Sequence, residues 1–160
     1  MLEFVANENE TKEAEQVFNA PAVMDDDERF ILDLTAKRAV QYCSFTPKNE
    51  DDEIVLFNAM NNPTNRLGDC INMTISVKHV FCEIVNCTNR DTGETTKCPR
   101  VVLIGENGES YQAVSIGVFS ALKKIFAIKG EPSTWKKPVH LKVLQQTRGD
   151  RKMLTFEMVK

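Results

Sequence analysis

Ile-Asn-Met-Thr-Ile-Ser-Val-Lys-His-Val-Phe-Cys-Glu-Ile-Val, residues 71–85, carries the fold in its periodicity. Ile71, Met73, Ile75 and Val77 alternate with Asn72, Thr74, Ser76 and Lys78, the period of a strand with one buried face. Past His79 the alternation slips, and the apolar set continues as Val80, Phe81, Cys82, Ile84 and Val85. A long strand that changes face through a bulge or bend explains the slip, and small barrels turn their corners in this way.

Working outward toward the C-terminus, residues 89–97 (Asn-Arg-Asp-Thr-Gly-Glu-Thr-Thr-Lys) have turn composition, and residues 100–104 are a second β-rich run able to pair back on the first. Gly105-Glu-Asn-Gly108 turns into a third strand over 110–115. The period then changes. Val118, Leu122, Ile125 and Phe126 recur at helical spacing, Lys123 and Lys124 face outward, and Gly130 with Pro132 stops the helix. After the loop at 132–135, Val139, Leu141 and Val143 alternate with His140 and Lys142, Arg148-Gly149-Asp150 turns, and residues 153–159 form a last strand. The order β-β-β-α-β-β predicts a mainly β chain with one or two helices. Its expected architecture is the five-stranded OB-type Greek-key barrel, whose central strands and first and last hairpin loops bind oligonucleotides.

Toward the N-terminus the signals are sparser. Phe30, Ile31, Leu34 and Ala39 fit a short helix over 30–45, and Ile-Val-Leu-Phe within 52–60 reads as a strand ended by the Asn61–Asn65 cluster around Pro63. Residues 1–29 hold nine acids against Lys12 and Arg29. They read as a flexible acidic arm, serving either solubility or interaction, ahead of an OB-fold domain at 30–160.

Composition is that of an ordinary globular chain: 160 residues, 42% hydrophobic and 27% charged. No apolar run is long enough to cross a bilayer, no secretion signal opens the chain, and five irregularly spaced cysteines read as reduced thiols. These features predict a cytoplasmic protein with no membrane partner. The net charge of −3 conceals a division, because eleven bases face five acids from residue 100 onward. That third carries +6 and attracts a polyanion although the whole chain is acidic.

Single-strand binders join a positive track to aromatic faces on which bases stack. Arg90, Lys97 and Arg100 lie in or beside the first hairpin loop, and Arg148, Arg151 and Lys152 in or beside the last. Tyr111 on the third strand and Trp135 after the helix are the candidate stacking rings, while Phe119, Phe126 and Phe156 fall on apolar sides and read as core. Phe57 and Phe81 fit either role. Taken singly, such loop charges are ordinary solvated groups and Trp135 an ordinary core cap. Their joint placement is the argument for a site.

Cys82, Cys87 and Cys98 bracket the first hairpin, and with Cys70 or His79 could supply four zinc ligands. Only Cys82-x₄-Cys87 approaches a knuckle spacing, so the reading is free thiols, no metal and no cofactor. For enzymes there is no Gly-x-Ser-x-Gly elbow, no phosphate-cradling Gly-rich loop and no His-Glu-x-x-His helix. Asp51, Asp52 and Glu53 are the one carboxylate set for a metal-dependent nuclease, but consecutive acids diverge and more often form a solvated loop.

Over residues 67–160 the chain resembles the single-stranded DNA-binding proteins of bacteriophages. The resemblance lies in Asp69-Cys-Ile-Asn-Met-Thr-Ile, in Cys87-Thr-Asn-Arg-Asp-Thr-Gly-Glu-Thr-Thr-Lys-Cys-Pro-Arg100, and in Tyr111-Gln-Ala-Val-Ser-Ile-Gly-Val-Phe-Ser-Ala-Leu122. It implies an oligonucleotide-binding barrel acting in DNA replication or recombination, and assigns no binding residue. Such proteins often end in an acidic tail that recruits replication partners, whereas this chain ends in the basic-rimmed stretch 151–160 and holds its acids at the N-terminus.

The expected function is sequence-tolerant coating of single-stranded DNA during phage replication in a bacterial cytoplasm. Single-stranded DNA is the expected partner, with replication proteins and self-association as further partners. The alternative is a protein-interaction module in which the barrel or the acidic arm docks on a replication or host-defence protein.

Overall fold

The computed structural model describes residues 41–160. The acidic stretch 1–29 and the helix expected from residue 30 lie outside them, except that residues 41–43 at its end are extended. Seven strands and two helices occur among the described residues: β1 (Gln41–Cys43), α1 (Glu50–Asn61), β2 (Asn65–Arg66), β3 (Thr74–Thr88), β4 (Thr95–Gly105), β5 (Ser110–Val114), α2 (Ile116–Lys129), β6 (Val139–Arg148) and β7 (Arg151–Val159). One sheet contains all the strands, in the order β2-β5-β4-β3-β6-β7, with β1 added on β3.

The face change in β3 is a bulge. Val77 lies opposite Gly105 and His79 opposite Ile104, so Lys78 is the extra residue. Ile75 and Val77 point into the main core before it, and Val80 and Cys82 after it. A one-residue insertion exchanges the two faces of a strand and increases its twist. The first half of β3 pairs with β6 and the second half with β1 and β4.

The five long strands run β5-β4-β3-β6-β7, with α2 inserted between β5 and β6 in sequence, and this arrangement fits an OB-type fold. Side chains from all five share one core with Val118, Leu122 and Ile125 of α2, so the sheet curls around the helix. The sheet holds more than five strands, because β1 and β2 extend it, and no β5–β7 pairing occurs among the described residues. The first turn of α2 occupies that gap, where a Cβ on Gly117 would collide with the Leu154 carbonyl oxygen.

One expectation is corrected: α1 is a helix where a strand was expected. Asn49 caps it by accepting from the Asp52 N–H at 2.8 Å, four acids follow in the first turn, and Val55, Leu56, Ala59 and Met60 recur on one face. That face covers Phe81, Val102 and Ile104 on the outer side of the sheet. Residues 101–104 are accordingly buried in succession, Val101 and Leu103 under α2 and Val102 and Ile104 under α1. Phe81 is thereby a core residue, and Phe57 stays 62% exposed. No helix among the described residues is long and apolar enough to cross a membrane.

Candidate nucleic-acid interface

The β3–β4 and β6–β7 hairpins carry most of the candidate cations. In the first, Asn89 organises the turn: its side chain accepts from the Asp91 and Thr92 N–H groups, and Gly93 takes a positive φ of 71°. Arg90 stands exposed on this turn, and Lys97 stands exposed on the following strand. In the second, Gly149 at φ 60° and Asp150 form a two-residue turn that sets Arg148 directly opposite Arg151. Like charges in that position repel and lower the stability of the hairpin. Among the described residues Lys97, Arg148, Arg151 and Lys152 have no acidic partner, so their field is available to an anion.

Between the two hairpins lies an open groove of about 670 Å³, lined by Cys87 and Cys98 of the first stem, Arg151, Lys152, Met153 and Leu154 of β7, and residues 114–117. Its floor is the start of α2, where the Ser115 hydroxyl accepts from the Val118 N–H at 3.1 Å and Ile116 is 68% exposed. Gly117 admits the close approach of α2 to β7. The chemistry offered is a cationic rim above an apolar floor, which suits a chain of phosphates bearing flat apolar bases.

The other three candidates lie elsewhere. Arg100 is internal: Nη1 donates to Glu83 at 2.9 Å, Nε to Gln112 at 3.2 Å and Nη2 to the Met60 carbonyl at 2.8 Å. Burial lowers its pKa against the pull of Glu83, and its work is to pin α1 to the sheet. Tyr111 is 8% exposed, opposite Leu103 in the main core, with its hydroxyl donating to Glu109. Burial first, and Glu109 second, push that phenol up to about 12.

Trp135 is half-buried, donates Nε1–H to the Gly130 carbonyl at 2.9 Å and meets the edge of Phe126. It stands beyond the C-terminal end of α2, a helix of 14 residues and so about 20 Å long, whose N-terminal end enters the groove. Tyr42 joins the same cluster, against Phe126 and hydrogen-bonded to Glu131.

The stem residues Cys87 and Cys98 are absent from the expected site. Mutual coupling raises the pKa of the Cys87 thiol and lowers that of Cys98, and the Thr96 hydroxyl lies 3.8 Å from the Cys98 sulfur. Turn composition could have placed them on the stem, but their diagonal placement on one face depends on register. Asp51, Asp52 and Glu53 form the first turn of α1, where Asp52 accepts from the Lys48 N–H. No group of three or more His, Cys, Asp or Glu is disposed to hold a metal among the described residues.

Comparison with known proteins gives one family. Residues 35–159 match a family model described as Phage Single-stranded DNA-binding protein. No curated protein and no solved structure matches the chain.

Proposed function

The chain belongs to the phage single-stranded DNA-binding protein family, and from that premise we propose that it coats single-stranded DNA without strong sequence preference during phage DNA replication and recombination, turning over no substrate. The observation that carries the reading is the groove between the first and last hairpins, with Arg151 and Lys152, which have no acidic partner among the described residues, on its rim and an exposed apolar floor. Arg90, Lys97, Arg148, Arg151 and Lys152 contact phosphates, while Ile116 and Met153 lie against bases. Neither contact distinguishes one base from another, because phosphates are common to all and apolar contact reads no hydrogen-bond pattern. Arg100, Tyr111 and Trp135 support this surface from within the fold.

In this role the partners beyond DNA are replication proteins that load or displace the chain. Residues 1–29, with their nine acids, compete with DNA for the basic hairpins. The test is fluorescence anisotropy with labelled oligo-dT, mixed-sequence single strands and duplex DNA, in low and moderate salt. Similar affinity for both single strands, weaker duplex binding and a fall with salt are expected. Binding to duplex as tight as to single strands, or to neither, would overturn the reading. Deletion of residues 1–29 is expected to tighten binding most at low salt.

A further inference from the structure

The apolar floor of the groove continues along α2. Residues three and four apart on a helix are surface neighbours, so Ile116, Phe119, Ser120, Lys123 and Lys124 form one strip that rises about 12 Å from the groove. Ile116, Lys123 and Lys124 are exposed, and Phe119 is half-buried against the main core. Lys123 Nζ stands over the Phe119 ring, 5.2 Å from its centroid. A flexible ammonium over a ring face at an exposed site is a weak cover. Phe126, two turns on, is packed instead by Tyr42 and Trp135. Residues 116–138 hold five lysines against one acid, Glu131, whose carboxylate already accepts from the Tyr42 and Ser133 hydroxyls. None of the five has an acidic partner among the described residues.

We propose that α2 carries a stacking subsite for single-stranded DNA beyond the groove, with Phe119 as its platform and Lys123 as the group that covers it until the strand arrives. A strand running on from Ile116 puts a base on the ring face. The Lys123 ammonium turns from the ring to a neighbouring phosphate, and Lys124 stands beside it for the next. The exchange is favourable on both sides, because the ring trades a weak cation contact for a stacked base and the cation trades a ring for a full negative charge. A rise of about 12 Å spans about three nucleotides at the stacked spacing of about 3.4 Å per charge, so the subsite lengthens the footprint. The ring is what commits the strip to nucleic acid, since an acidic peptide would use the lysines and leave Phe119 unfilled. The inference rests on the DNA-binding reading of the groove, and adds to it two residues that lie outside the groove lining.

The test uses the full-length protein and the variants Phe119→Leu, Phe119→Tyr and Lys123→Gln, each checked for folding by urea unfolding. Binding to oligo-dT is read by anisotropy across salt, and contacts are mapped by irradiating oligo-dT that carries 5-iodouracil and locating the crosslinked peptide by mass. Phe119→Leu is expected to weaken binding about tenfold, the loss of about one stacked base, with the salt slope unchanged. Phe119→Tyr is expected to keep wild-type affinity. Lys123→Gln, at an exposed position, is expected to make the slope of log K against log salt shallower by about 0.7. Crosslinks are expected within 116–124. Wild-type affinity and slope in Lys123→Gln, with no crosslink in 116–124, would overturn the subsite and leave the groove reading standing, whatever Phe119→Leu does to folding. Oligo-dT affinity unchanged in Phe119→Leu, with polyglutamate bound through Lys123, would give the strip to an acidic protein instead. Failure of the wild-type protein to bind oligo-dT would remove the DNA reading and the subsite together.

Discussion

The two ends of α2 contain the same kinds of residue as any single-strand-binding surface, but sorted. At the N-terminal end, Ile116 and Gly117 floor a groove rimmed by Arg151 and Lys152, with no ring closing it. At the C-terminal end, Phe126, Tyr42 and Trp135 pack together, and the indole N–H is satisfied by the Gly130 carbonyl. One end is open and cationic, the other sealed and aromatic. What separates a proposed binding residue from a structural one here is whether its polar atoms already have partners. Trp135 and Arg100 have them; Arg148, Arg151 and Lys152 have none among the described residues.

The most damaging change lies on neither end. Arg100→Ala leaves Glu83 half-buried without its partner and unpins α1, and is expected to cost about 3 kcal/mol of stability. Urea unfolding measures this. Unchanged stability with weakened DNA binding would move Arg100 to the interface and break the comparison.

Trp135→Ala is next, with an expected loss of about 2–3 kcal/mol of stability, because it truncates a ring packed against the core. Binding by the variant that remains folded is expected to match wild type. A loss of about 1–3 kcal/mol in binding at unchanged stability would identify the indole as a stacking platform.

Gly117→Ala sharpens the comparison from the open end. The added methyl meets the Leu154 carbonyl and must push β7 from α2, at an expected cost of about 1–3 kcal/mol. Oligo-dT binding is expected to weaken because the groove wall moves. Wild-type affinity in this variant would show that groove width is unimportant.

Much of this division is legible in the chain. The slip at His79 in residues 71–85 predicts a corner, and the bulge at Lys78 makes it. The loop cations are visible because Asn, Asp, Gly and Thr mark the turns around them. Other features depend on pairing that composition does not encode. Tyr111 points inward because it registers with Leu103, and Cys87 and Cys98 share one face of the hairpin only because Cys87 lies opposite Thr96. Helix α1 was hidden by four consecutive apolar residues, Ile54 to Phe57, which satisfy a strand template as well as a helical one. The Asn49 cap and the acids after it were the better signal. Buried succession at residues 101–104 has its cause in α1, so misreading one obscured the other.

If cations beside the groove that lack acidic partners among the described residues hold the strand, as proposed, the salt slope of the Arg148→Ala/Arg151→Ala protein shows it most directly. Removing two phosphate contacts is expected to weaken oligo-dT binding about tenfold at moderate salt. The slope of log K against log salt should become shallower by about 1.4, from about 0.7 per phosphate on a single strand. Stability should be unchanged or slightly raised, because two like charges directly opposite each other are gone. A wild-type slope and affinity in a folded double variant would contradict the account.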